Sequence, residues 1–154
     1  MLTAHATADE QLTALLAQTA GQVLTTLPGV AVVRAAAFAV HSLPIERFPT
    51  PGHLYSATGL APASYQSATI NRRGGISRQG LPEHRDALMA IAWGLSQASP
   101  SFRERDREYR ARGFAPIQAR VALARHACRL YHALLRTQHP YDEERYRRAR
   151  RRGR

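Results

Sequence analysis

Residues 117–135, IQARVALARHACRLYHALL, decide the fold class. Ile117, Val121, Ala124, Cys128, Tyr131 and Leu135 recur at alternating spacings of four and three, which lines one face of an α-helix. Arg120, Arg125, Arg129 and Arg136 fall off that stripe. His139-Pro140 is expected to end the helix. Cys128 sits on the apolar seam and reads as packing. His126 and His132 lie six apart, a spacing that does not put two ligands on one face.

Working outward, the same periodicity recurs. Leu81, Leu88, Ile91 and Leu95 form a second stripe, with Pro82 and Glu83 in a first turn and Ser99-Pro100 as its break. His84 lies along that stripe and reads as a core histidine. Residues 101–112 read as a charged, solvent-facing helix ended by Gly113, with Glu104, Asp106 and Glu108 salt-bridged among arginines. Toward the N-terminus, Leu12, Leu16, Val23 and Leu27 predict one amphipathic helix ended by Pro28-Gly29. Val30 to Val40 is alanine-rich and reads as a buried helix. Pro44, Pro49, Pro51 and Gly52 mark an ordered connection, followed by a helical turn at 53–58. No strand shows convincing alternation. The expected fold is all-α and compact, with a helix-hairpin-helix-like element and a long polar loop. Residues 145–154 hold seven arginines, a tail expected to be disordered without a partner.

Composition narrows the function. The chain has 154 residues, a formal net charge of +11, and 22 lysines plus arginines, all of them arginine. Part of that bias fits a GC-rich coding sequence. The surplus still points to an anionic partner, nucleic acid first, because neutralising phosphates releases counterions. A membrane surface is disfavoured, since no helix pairs a basic face with bulky aromatics. The longest apolar run, broken by Arg34, is too short for a span. One cysteine rules out an internal disulfide, and MLTAHATADE has no signal-peptide layout. A soluble, cytoplasmic bacterial protein is expected.

The candidate chemistry lies in residues 59–80, GLAPASYQSATINRRGGISRQG. Arginine forks pair with phosphate oxygens, and a hydroxyl attacks or hydrogen-bonds the same group. Ser67 is the candidate nucleophile, with Ser64 and Tyr65 as local competitors and a serine-rich turn as the plain alternative. Arg72, Arg73 and Arg78 are candidate phosphate contacts, with Gly74 and Gly75 beside them. In the turn Leu27-Pro28-Gly29-Val30, Gly29 is a candidate for gripping a phosphate through backbone N–H groups, against the alternative of a helix C-cap. In the tail, Arg147, Arg148, Arg150, Arg151 and Arg152 are candidates for non-specific nucleic-acid contact. Nothing in the sequence resembles a carboxylate cluster for Mg²⁺.

Together TLPGVAVVRAAAFAV (26–40), ERFPTPGHLYSATGLAP (46–62), QSATINRRGGISRQG (66–80), VALARHACRLYHALLR (121–136) and HPYD (139–142), in this order, resemble the C-terminal domain of the insertion sequence 110/116/902 transposase family. The resemblance runs from Leu24 to Asp142. It implies a DNA recombinase that moves insertion sequences with a structured guide RNA. Such proteins join an RNase H-like domain, with a metal-binding DEDD tetrad, to this helical domain. The family's serine, thought to form a covalent link to DNA, follows a Gly-Leu-x-Pro segment. Here that match passes through Gly59, Leu60 and Pro62 to Ser67, with Gly74, Ile76, Ser77 and Gly80 continuing it. Ala68 and Thr69 replace the flanking glycines.

Too few residues precede the Leu-Pro-Gly-Val turn for an RNase H-like domain. The resemblance therefore implies a truncated transposase or one half of a split reading frame, with no cofactor on this chain and Mg²⁺ only with the other domain. Expected partners are DNA, a guide RNA, and a separate RNase H-like domain or a second copy. The implied organisation is an N-terminal helix over 1–26, a transposase helical domain over 27–142 and a basic tail over 143–154. The alternative is a non-catalytic nucleic-acid-binding module of helix-hairpin-helix type.

Overall fold

The computed structural model describes residues 2–60, 62–67, 70–76 and 80–153, with side chains for 4–60 and 80–153. Seven α-helices make up the packed body: α1 Leu2–Ala17, α2 Val32–Ser42, α3 Pro51–Ala57, α4 Pro82–Ala98, α5 Pro100–Ala111, α6 Pro116–Thr137 and α7 Glu143–Arg152. The fold is all-α, as the periodicity predicts.

Proline sets several helix starts. Pro51, Pro82, Pro100 and Pro116 occupy the first turns of α3, α4, α5 and α6, where a missing N–H costs nothing. Thr50 and Ser99 cap α3 and α5, accepting from the backbone N–H of His53 and Phe102. Ser99 also stands as the C-cap of α4, so one residue ends one helix and begins the next.

α6 is the central element and packs against α3, α4 and α5; α4 in turn packs against α2. Phe38 meets Tyr131 edge-on at 5.2 Å, and Leu54, Leu88, Ile91, Leu95 and Leu123 fill the space around them. The stripe on α6 is buried from Ala124 onward, with Cys128, Tyr131 and Leu135 inside, whereas Ile117 is 59% exposed. At its start α6 instead buries Ala119 and Leu123, so the buried face there is rotated away from Ile117.

Three expectations are corrected. The single helix over Leu12 to Leu27 is instead α1 followed by a 3₁₀ segment, Ala20–Thr26. The Thr19 side chain accepts from Gly21 N–H, and a Cβ on Gly21 would lie 2.6 Å from Ala39 Cβ, so the chain turns there to reach α2. The polar loop contains a two-stranded antiparallel hairpin, β1 Pro62–Ser67 and β2 Ile70–Ile76. Its sequence lacks the apolar alternation by which a half-buried strand is recognised.

The third correction concerns the basic tail, which is helix α7, docked along α5. The Glu143 carboxylate accepts from Ser99 Oγ at 2.9 Å and from Ser101 N–H at 2.9 Å, so it caps the positive end of α5. Tyr141 Oη donates to the same carboxylate, and Tyr146 stacks on Phe102 with centroids 5.4 Å apart. Arg150 pairs with Glu104 and Glu108 of α5. Seven arginines were expected to resist packing, but one of them faces two carboxylates across the groove.

Candidate nucleic-acid interface

The hairpin is pinned at its root by two glycines. Gly59 has φ +73°, and a Cβ there would lie 2.7 Å from Gly80 N; a Cβ on Gly80 would lie 2.3 Å from Gly59 N and 2.4 Å from Ala57 O. The two chain ends therefore meet backbone to backbone, which only glycine permits. Buried Thr58 adds a local brace, its Oγ1 donating to Tyr55 O at 2.6 Å. Beyond the root, a register irregularity lies between Pro62 and Ser64. Ser64 then stands opposite Arg73, Tyr65 opposite Arg72, and Ser67 opposite Ile70. Ser67 is thus the last ladder residue of β1, and the register brings Arg72 and Arg73 into the facing strand. Ala68, Thr69, Ser77 and Arg78 lie outside the described residues.

Arg85 on α4 joins this root although its sequence context did not single it out. Its Nη1 would lie 3.1 Å from a Cβ on Gly59, and that atom is buried without a hydrogen-bond partner among the described residues. Nothing local marks it: Arg85 is one charged residue in a first turn that also carries Glu83 and Asp86.

Gly29 has φ +73°, and a Cβ there would lie 2.3 Å from Gly94 O. A Cβ on Gly94 would lie 2.3 Å from Gly29 O. Gly29 O also accepts from Arg34 Nη1 at 3.0 Å. The turn after Leu27 therefore packs on the middle of α4, and the segment entering it is 3₁₀ helix. The side of Gly29 on which a Cβ would stand thus faces Gly94.

The arginines of α7 separate into two groups. Arg150 is 8% exposed and belongs to the α5 contact. Arg147 and Arg148 lie 3.9 and 3.4 Å from the surface carboxylate Glu144, and both remain solvent-accessible. Arg151 and Arg152 are exposed. Of the five candidate tail arginines, Arg148 and Arg152 thus lie on the outer side of α7, Arg147 and Arg151 border a cleft shared with α5, and Arg150 fastens the helix.

The buried histidines His84 and His132 have internal partners. His84 Nε2 lies 2.9 Å from Ser42 Oγ, whose own proton goes to Phe38 O at 2.7 Å, so the histidine is the donor. Burial, then the charges of His41 and Arg47, lowers its pKa to about 4. His132 Nε2 donates to Phe48 O at 2.7 Å. Burial pushes the Cys128 thiol up to about 12, far from thiolate chemistry at neutral pH. The core histidine and packing cysteine read from the sequence are both found. Among the described residues, no group of three or more His, Cys, Asp or Glu side chains is placed to hold a metal. No helix among them is long and apolar enough to cross a membrane.

Fold and site together define a helical, strongly cationic module that projects a serine-bearing hairpin from a glycine-locked root. The chain belongs to the transposase IS116/IS110/IS902 family, whose model matches residues 21–107. It is 36% identical over 129 residues to the insertion element IS110 uncharacterized 43.6 kDa protein of Streptomyces coelicolor. That match covers 83% of this chain and 32% of the relative, so the chain spans about a third of the relative's length. The segment matched by the family model includes the hairpin, both root glycines and the Gly29–Gly94 contact.

Proposed function

We propose that this chain is a DNA-binding portion of a transposition enzyme, with Ser67 as the nucleophile presented to a DNA phosphodiester. The observation that carries this reading is the hairpin root. A family segment ending in Gly59 and Gly80 is locked backbone to backbone, and Ser67 closes the strand that leaves it. A closely packed root beneath a serine-bearing strand suits a group that must reach a phosphorus atom held elsewhere.

In the step proposed, Ser67 Oγ forms a bond to phosphorus as the bridging P–O bond to one sugar breaks. The serine gives up its proton and the departing sugar oxygen gains one. The product is a phosphoserine link that conserves phosphodiester energy for rejoining. Arg72, Arg73 and Arg78 would pair with the phosphate oxygens, and Arg85 would add charge from below. The donor set of the described residues does not suit Mg²⁺, so no step here runs through a metal. A metal-bearing RNase H-like domain, a guide RNA and a second copy are the partners the family reading calls for. The outer arginines of α7 would supply sequence-independent affinity.

The test is covalent trapping on nicked recombination-site DNA, with the RNase H-like domain added in trans. Adduct formation that disappears in Ser67→Ala is expected. An adduct formed equally by Ser67→Ala sinks the nucleophile assignment. Salt-sensitive DNA binding indifferent to Ser67, with no adduct from either protein, would favour a non-catalytic nucleic-acid-binding module.

A further inference from the structure

Arg150 stands between two open clefts on the side of the molecule formed by α5, α6 and α7. One holds about 440 Å³ and is lined by Pro100, Glu104, Arg107, Arg147, Arg150 and Arg151. The other holds about 650 Å³ and brings together Arg105, Glu108, Tyr109, Arg112, His126, Arg129 and Arg150, from all three helices. Resting on the nucleic-acid reading above, we propose that this larger cleft is a built phosphate-binding site for a nucleic-acid strand.

Its charge is the first reason. Four guanidinium groups line it against one carboxylate, Glu108, which Arg150 holds at 2.7 Å through both oxygens. Lysine would give a compact point charge, whereas guanidinium forks match phosphate oxygens in pairs.

The second reason is that the side chains are already held in place. Arg112 lies over the rings of Tyr109 and Phe114, at 5.9 and 5.4 Å from their centroids, and those rings stack at 5.1 Å. Arg105 Nη1 and Tyr109 Oη converge on His126 Nε2 at 3.2 and 2.8 Å. An arginine only donates, so Nε2 is the acceptor and the ring proton sits on Nδ1. The ring is kept neutral by burial and then by Arg105, Arg129, Arg125 and Arg150, which lower its pKa to about 4. A neutral histidine here anchors Arg105 without drawing a charge into the cleft.

The third reason bears on the ligand class. Arg150 lines both clefts, so the cationic surface continues from one to the other past the edge of α7. An isolated phosphate compound needs one pocket, while a strand with regularly spaced phosphates uses both. This site is separate from the hairpin and from the outer face of α7.

The experiment uses the whole chain and fluorescence anisotropy with labelled single-stranded DNA, single-stranded RNA and duplex DNA, competed by pyrophosphate. Arg112→Gln/Arg129→Gln removes two cleft charges, and Arg148→Gln/Arg152→Gln removes two from the face of α7 that lines neither cleft. All four side chains reach solvent, so both proteins should fold, with circular dichroism as the check. The cleft variant is expected to weaken strand binding at least tenfold and to abolish competition by pyrophosphate; the outer-face variant should weaken it less and keep the competition. Equal losses in both variants would show bulk charge alone and overturn the site. Pyrophosphate bound in the cleft but not displaced by any strand would mean a small phosphate compound, overturning the strand assignment. Strand binding untouched by the cleft variant removes this site while leaving the nucleic-acid reading in place. An unaltered chain that binds no strand at moderate salt defeats both.

Discussion

Arg150 Nη2 lies 2.7 Å from each carboxylate oxygen of Glu108, joining the last helix of the chain to the fifth. Its Nη1 reaches Glu104 at 2.9 Å and the Ser101 carbonyl at 3.3 Å. A two-pronged guanidinium contact of this kind gives direction as well as attraction. It converts a run of charges that would otherwise repel into a docked helix.

Replacing Arg150 by Gln should release α7. Glu104 and Glu108 are 61% and 40% exposed, so solvent screening limits the loss to about 1–2 kcal/mol. Amide exchange in residues 143–152 should rise far more than in α6. Unchanged protection in α7 would show that Glu143 and Tyr146 suffice to hold it.

Gly94→Ala tests the α4 contact by its sign. In a free helix interior alanine is favoured over glycine by about 1 kcal/mol. Here the added Cβ would overlap Gly29 O at 2.3 Å and Arg34 Nη1 at 2.5 Å. A net loss of roughly 1–3 kcal/mol in denaturant unfolding is expected. A gain in stability would mean the two backbones are not in contact.

Acid should destabilise the chain before its carboxylates titrate. His84 and His126 are held near pKa 4 against 6.5 in the unfolded chain. The unfolded state binds more protons between those values, so their stabilising effect is whole above pH 6.5 and falls as pH drops toward 4. For His84 the loss is at most about 3 kcal/mol. Thermal midpoints measured from pH 7 to 5 should fall, and His84→Asn should flatten part of that slope. A profile level over this range contradicts the buried neutral histidines.

Substituting Gln for Arg147, Arg148, Arg151 and Arg152 should lower the salt dependence of DNA binding. Each phosphate contact contributes roughly −0.9 to the slope of log K against log salt, so up to about three units of slope disappear if most of these residues touch phosphate. Titrations across salt concentration measure this directly. A parallel line at lower affinity would mean the contacts lie elsewhere.

Cys128 should resist alkylation in the native protein, since its thiol is fully buried and its pKa is raised to about 12. Iodoacetamide labelling followed by mass spectrometry should show modification only after unfolding. Rapid labelling of the folded chain would place the α6 seam on the surface.

The helical body was readable because amphipathic period and proline position are local properties. The stripes through Leu88, Ile91 and Leu95 and through Cys128, Tyr131 and Leu135 lie in the core. The break at Thr19 was not readable, because it depends on Gly21 meeting Ala39 of another helix. The hairpin in 62–76 was missed because polar strands carry no alternation. Arg105, Arg112, His126 and Arg129 were passed over as solvated charges or an isolated histidine. Their spacing on α5 and α6 is unremarkable until the two helices are side by side.

By itself the sequence determined an all-α chain, a strong positive charge, and a segment from Gly59 to Gly80 that carries the family pattern around Ser67. Those properties follow from local periodicity, composition and short-range motif order. Tertiary structure alone decided which glycines touch, which arginine fastens α7 and which others are turned outward. Backbone contacts such as Gly59 with Gly80, and ion pairs such as Arg150 with Glu108, join residues far apart in the chain. Their energies depend on distance and burial in the folded molecule, quantities that no linear pattern contains.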